Sequence, residues 1–224
     1  MIFDPVWEQL FASSSWGQYP SESVIRFVAR NFYKAIDRQI VKLLEVGCGP
    51  GANIWYIARE GFAFAGIDGS ATAIAQASQR LDNESPGWRS RGELHVGDIT
   101  KLPFADATFD GVIDDEAVYS NGWDEARAIY LEMARVLKSG GKLFSRTFTA
   151  GCWGDGTGEQ TGHHAWRCAD GPLAGKGQSR FTSREEIYDL VLGFKVTNIE
   201  LLMETRGGNQ SQEIREWIIE GERE

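Results

Sequence analysis

The run Leu43-Leu44-Glu45-Val46-Gly47-Cys48-Gly49-Pro50-Gly51 constrains the fold of this chain more than any other stretch. Apolar residues that lead straight into closely spaced glycines read as a strand ending in a tight turn. Ala52 to Glu60 then continues as a helix, closed by Gly61. A strand, turn and helix of this kind aim backbone N–H groups at a ligand, and glycine lets that ligand approach the main chain closely. Taken alone, the turn leaves the ligand open. Gly47, Gly49 and Ala52 also satisfy the dinucleotide fingerprint, and a purely structural turn is a further reading.

The rest of the chain alternates short apolar runs with amphipathic, helix-length segments, the pattern of an α/β layered fold. Asp4 to Ser13 reads as a helix with Asp4 as N-cap and Pro5 at its first position. The turn Trp16 to Pro20 follows, and Ser21 to Asp37 reads as a second helix. Strands are predicted at Val41–Val46, Phe62–Ile67, Glu93–Val96, Phe109–Ile113 and Lys142–Phe148. Between them lie helices from Ser70 to about Leu81 and from Trp123 to Leu137, with Lys138 to Gly141 as a terminating turn. Residues 150 to 180 are glycine-rich and aperiodic, so they read as a long insertion or lid. A helix capped by Thr182 or Ser183 and running to about Leu192, then strands near 194–203 and 212–219, complete the chain.

Acidic residues recur where these strands end. Asp68 closes the second strand about 20 residues beyond the glycine turn. An ionised carboxylate accepts hydrogen bonds only, which suits paired ribose hydroxyls. Asp98 closes the third strand with Ile99 beside it, a combination suited to an adenine amine and ring. Composition narrows the partners. A net charge of −9 argues against a surface built for nucleic-acid phosphate. No apolar stretch is long enough for a membrane span, and Met1 to Pro5 does not read as a signal peptide. Three cysteines fit reduced thiols, so a cytoplasmic location is expected.

The glycine run, Asp68, Gly97-Asp98, Phe109-Asp110 and Leu137-Lys138-Ser139-Gly140-Gly141 together resemble the ordered motifs of class I S-adenosylmethionine-dependent methyltransferases, over about residues 40 to 149. The resemblance implies an α/β, Rossmann-like fold: a seven-stranded, mostly parallel sheet with helices on both faces and an insertion after the fifth strand. It implies one domain over 1–224, with an N-terminal cap at 1–39, a cofactor core at 40–149, a lid at 150–181 and a C-terminal part at 182–224. S-adenosyl-L-methionine is the implied cofactor. Gly47, Gly49 and Gly51 would line it, with Glu45 near its methionine portion. Asp68 and Gly69 would serve the ribose and Ser70 the adjoining helix. Asp98 and Ile99 would hold the adenine, and Asp114, with Asp115 as the alternative register, would face the ammonium. Tyr19 would close over the site.

Methyl transfer from a sulfonium depends on positioning the acceptor and excluding water, so no catalytic motif need be visible. Tyr119, His163 and His164 are the catalytic candidates, the histidines as a possible general base. Cys152, His163, His164 and Cys168 lack the usual spacing of metal ligands, so no metal is expected. The expected acceptor is oxygen or nitrogen of a small metabolite. A nicotinamide-dependent oxidoreductase and a non-catalytic cofactor-binding protein are the alternatives, and the oligomeric state is open.

Overall fold

A computed structural model describes residues 4–14 and 16–224, apart from the side chains of 209–211. Helix α1 (Pro5–Ser13) begins where Asp4 accepts a hydrogen bond from the Val6 N–H, and α2 (Glu22–Phe32) begins where Ser21 accepts one from Val24. The core then alternates β1 (Lys42–Val46), α3 (Ala52–Arg59), β2 (Ala63–Asp68), α4 (Ala71–Glu84), β3 (Gly92–Val96), β4 (Phe109–Asp115), α5 (Trp123–Val136) and β5 (Leu137–Phe148). Short strands β6 (Glu159–Gly162), β7 (Ala165–Arg167) and β8 (Gln178–Arg180) follow. The chain ends with α6 (Ile187–Leu190), β9 (Phe194–Arg206) and β10 (Asn209–Arg223).

Seven strands form one sheet in the order β3-β2-β1-β4-β5-β10-β9. The first five pair in parallel, and β10 runs antiparallel to both of its neighbours. Successive side chains along a strand point to opposite faces, so a strand covered on both sides must be apolar at consecutive positions. Leu43 and Leu44 show this, as do Val112 with Ile113 and Leu143 with Phe144. The first of the β1 pair packs with Val24, Phe27 and Val28 of α2 and Ile54 of α3, while the second packs with Ile129, Tyr130 and Met133 of α5. Each such side chain, fully removed from water, contributes roughly 1.5–3 kcal/mol. The sheet is thereby fixed with its parallel-strand carboxyl ends, and the loops after β1, β2, β3 and β4, at one edge.

Several boundaries differ from the sequence reading. Helix α2 stops at Phe32 rather than Asp37, because the chain turns to bring the Tyr33 hydroxyl 2.7 Å from that of Tyr56 and Arg38 onto Glu60. The Lys138–Gly141 turn is absorbed into β5 as a bulge, with Gly140 at φ +72°. Most of the predicted helix after Ser183 is turn, leaving only Ile187–Leu190, and Gly193 at φ +82° then redirects the chain into β9. The insertion has strands of its own: β6, β7 and β8 make a small antiparallel sheet. Its base is held by Cys152, Cys168, Leu173 and Phe181, packed with Tyr119 and Phe148.

Candidate active site

The loops at the carboxyl edge of the sheet, together with α1, the insertion and β10, enclose a cavity of about 560 Å³. Its floor is the glycine turn. Gly47 has φ +65°, and a Cβ there would lie 2.2 Å from the Cβ of Ala117, so the turn closes against the β4 loop only because position 47 has no side chain. The turn is tied to β2 by Asp68. One carboxylate oxygen accepts from the Gly49 N–H and the other from the Ser70 N–H, both at 2.8 Å. Asp68 is 6% exposed, and burial raises its pKa against the pull of those two N–H groups.

Behind the turn, the side-chain nitrogen of Asn53 donates to Glu45 Oε1 at 2.7 Å and to Asp115 Oδ2 at 3.0 Å. Glu45 and Asn53 are 3% and 4% exposed, both line the cavity, and Glu45 Oε2 and Asn53 Oδ1 have no protein partner. Burial pushes the Glu45 pKa well above the carboxylate range, with Asn53 opposing and the charges of Asp115 and Asp68 adding to the rise. Arg146 gathers a second group of acids: Glu216 at 2.6 Å, Glu116 at 3.1 Å and Asp115 at 3.7 Å. Glu116 adopts φ +62°, an unusual conformation for a non-glycine residue, and faces the cavity. Burial raises its pKa to about 7, with Arg146 opposing and the adjacent Glu216 adding to the rise.

Of the residues singled out in the sequence, Tyr19, Glu45, Gly47, Gly49, Asp68, Gly69, Asp98, Ile99 and Tyr119 line this cavity. Gly51, Ser70 and Asp114 do not. Gly51 has φ +84° at the start of α3, and a Cβ there would meet that of Ala77 at 2.9 Å, so it sets the approach of α3 to α4. Ser70 is fully buried, caps α4 through the Ala73 N–H and donates to Glu8. Asp114 is also fully buried: it accepts from the Ala117 and Val118 N–H groups at 3.0 Å and from the Ser145 hydroxyl at 2.7 Å, and so shapes the loop after β4. Asp115, the next residue, is the one that reaches the cavity.

The catalytic candidates separate in the same way. Tyr119 is 2% exposed and stacks edge-on against Phe148 at 4.8 Å; burial holds its hydroxyl protonated. His163 and His164 lie outside the cavity, on the β6–β7 turn, where both contact Glu186. Their position corrects the expectation of a histidine base in the site, since both rings turn to Glu186 and neither lines the cavity. Sequence reasoning missed Asn53, Glu216, Lys176 and Leu173 as cavity residues. Glu216 offered one signal, a charge between the apolar Ile214 and Ile218 on a strand. Leu173 and Lys176 offered none, because the aperiodic insertion conceals which of its residues fold inward.

The residues present fit S-adenosylmethionine. Two buried acceptor atoms without partners, Glu45 Oε2 and Asn53 Oδ1, match an ammonium group. Asp68 spends one acceptor position per oxygen on backbone and retains others for hydroxyls.

Residues 43–141 match the family described as the methyltransferase domain. The 24-methylenesterol C-methyltransferase 2 of Oryza sativa subsp. japonica is 37% identical over 105 residues, 46% of this chain and 28% of that protein. The malonyl-acyl-carrier-protein O-methyltransferase of Enterobacter lignolyticus is 30% identical over 160 residues, 70% of this chain and 55% of that protein. The chain thus spans between about a quarter and about half of the length of these curated relatives. A solved structure of a SAM-dependent methyltransferase from Methanosarcina mazei superposes with a TM-score of 0.68 at 21% identity, covering 92% of this chain and 98% of the other. The matched region, residues 43–141, is a methyltransferase domain of the class I, S-adenosylmethionine-dependent kind. This assignment removes the nicotinamide reading of the glycine turn.

Proposed function

We propose that the protein transfers a methyl group from S-adenosylmethionine to oxygen or nitrogen of a small-molecule acceptor. One observation carries the reading: a single cavity joins the cofactor-edge residues Glu45, Asp68 and Asp98 to a second wall built by Tyr119, Phe148, Leu173 and Glu116. Its volume lies within the range of small-molecule sites, roughly 300–1,000 Å³. The relatives named above are a methylenesterol C-methyltransferase and a malonyl-acyl-carrier-protein O-methyltransferase, so the family does not determine the acceptor.

When bound, the cofactor supplies an electrophilic methyl group on a sulfonium. Glu45, Asn53 and Asp115 would hold its ammonium, Asp68 its ribose, and Asp98 with Ile99 its adenine. The remaining work falls to the second wall. Phe148, Leu173 and the ring of Tyr119 exclude water from the acceptor, which keeps a neutral nucleophile poorly solvated and reactive. Glu116 is the group suited to take the proton an O–H or N–H acceptor loses, because burial holds it near neutrality while it faces the cavity.

Calorimetric titration with S-adenosylmethionine, followed by mass spectrometry of a panel of alcohols, phenols, carboxylic acids and amines, tests the reading. A methylated product from an oxygen or nitrogen acceptor supports it. Tight cofactor binding with no methylated product across the panel sustains the non-catalytic alternative instead. Asp68→Ala is expected to weaken cofactor binding by about 1.5–3 kcal/mol, the range for hydrogen bonds to a charged group.

A further inference from the structure

We propose that His163, His164 and Glu186 form a binding site for a divalent transition metal of the zinc class. The site lies outside the cavity and clips the β6–β7 hairpin to the segment that leads into α6. Strands β6 and β7 pair through Gly162 and Ala165, so the two histidines are the whole of the connecting turn. His164 has φ +47°, where glycine or asparagine is the ordinary choice. That backbone conformation places its ring parallel to that of His163, with centroids 4.4 Å apart and planes 16° apart.

Both rings converge on one carboxylate contributed from 22 residues further along the chain. His163 Nε2 lies 2.5 Å from Glu186 Oε1, and His164 Nδ1 lies 3.1 Å from Oε2. The donor atoms of all three residues fall within 4.8 Å of one another. Glu186 is held in place independently of the histidines, since its Oε2 also accepts from the Ser183 N–H at 2.8 Å. Trp123 braces His163 edge-on at 5.1 Å.

The chemistry of the set favours a metal of intermediate softness. In the metal-free chain each ring donates an N–H to the ionised Glu186, which can only accept; a divalent cation displaces those protons and takes the same two ring nitrogens and the carboxylate as ligands. Two imidazole nitrogens and one carboxylate suit zinc, cobalt or nickel and leave positions for water; magnesium and calcium prefer all-oxygen sets. The histidine side chains are 53% and 49% exposed and that of Glu186 16%, so an ion reaches the site directly from solvent. The spacing of the histidines and cysteines concealed this set, because its third member is neither and is distant in the sequence. Cys152 and Cys168 take no part; both are buried under the insertion.

The test titrates the chelator-treated full chain with zinc chloride in a calorimeter, with cobalt and magnesium chlorides in parallel. One zinc ion per chain is expected, with a visible cobalt absorption, no magnesium heat, and a thermal midpoint that rises with zinc concentration. His163→Ala and Glu186→Gln should each weaken zinc binding by at least about tenfold while S-adenosylmethionine affinity stays at the wild-type value. His163→Ala leaves the Ser183–Glu186 contact in place, so the test holds even if Glu186→Gln disturbs that segment. Absence of zinc binding by the wild-type chain, or zinc binding undiminished in His163→Ala, overturns the proposal.

Discussion

Asn53 holds the buried carboxylate of Glu45 through a 2.7 Å hydrogen bond from its side-chain amide, and the same nitrogen holds Asp115 at 3.0 Å. One neutral donor therefore keeps two acids together at the cavity wall, with an oxygen of Glu45 left over. Asn53→Leu removes the donor and leaves Glu45 buried without its side-chain partner. The expected loss is about 1–3 kcal/mol of stability, the cost of an unsatisfied buried group. Urea denaturation measures the loss, and calorimetry should show weaker S-adenosylmethionine binding in the same variant. Wild-type values in both would remove Asn53 from the site.

Arg146 balances Asp115, Glu116 and Glu216, none of them more than about a third exposed. Arg146→Met leaves these acids facing one another, at a cost on the order of 3 kcal/mol near neutral pH. Protonation relieves the repulsion. Glu116, already raised to about 7 by burial and by Glu216 against the pull of Arg146, is pushed further up in the variant. The deficit against wild type should therefore shrink as the pH falls from alkaline values toward about 7, where Glu116 becomes protonated in both chains. Paired denaturation curves across that range check the sign, and a deficit constant with pH would rule the account out.

Asp114 carries a second pH dependence. Burial raises its pKa from 3.8 to about 6, although Ser145 and two backbone N–H groups hold it back. Between these values the folded chain keeps a proton that the unfolded chain has lost. The group's stabilising contribution is thus complete below its unfolded pKa and disappears as the pH rises through about 6. Asp114→Asn does not titrate, so the stability of wild type relative to this variant should fall across that window, by about 3 kcal/mol at most. Denaturation midpoints measured at closely spaced pH values would reveal the slope; a rise instead of a fall contradicts it.

Gly47→Ala places a methyl group against Ala117 in a backbone conformation that disfavours side chains. The left-handed conformation alone costs about 1–2 kcal/mol, and the contact requires the β4 loop to shift. A lower thermal midpoint together with weaker cofactor binding is expected. Ala117→Gly in the same chain should recover part of the loss, because it removes the opposing methyl; no recovery would place the cost in the backbone alone.

The alternation of strands and helices, the sheet-edge acids and the glycine turn were legible before any coordinates, because each is written in contiguous residues. Leu43 and Leu44 announce a strand buried on both faces, and Asp68 follows the turn at a readable distance. Where a side chain points at a strand end was not legible. Asp114 and Asp115 are adjacent and chemically alike, yet a pleated strand sends one into the core and the other to the cavity.

By itself, the sequence determined the layered α/β fold and the family, since hydrophobic period, turn residues and motif order are local properties. Tertiary structure decided which polar groups meet. Asn53 joins Glu45 to Asp115, Arg146 draws Glu216 from the last strand, and the two histidines leave the cavity for Glu186. Such contacts depend on chain segments distant in sequence converging around buried surface, and no local pattern records where they converge.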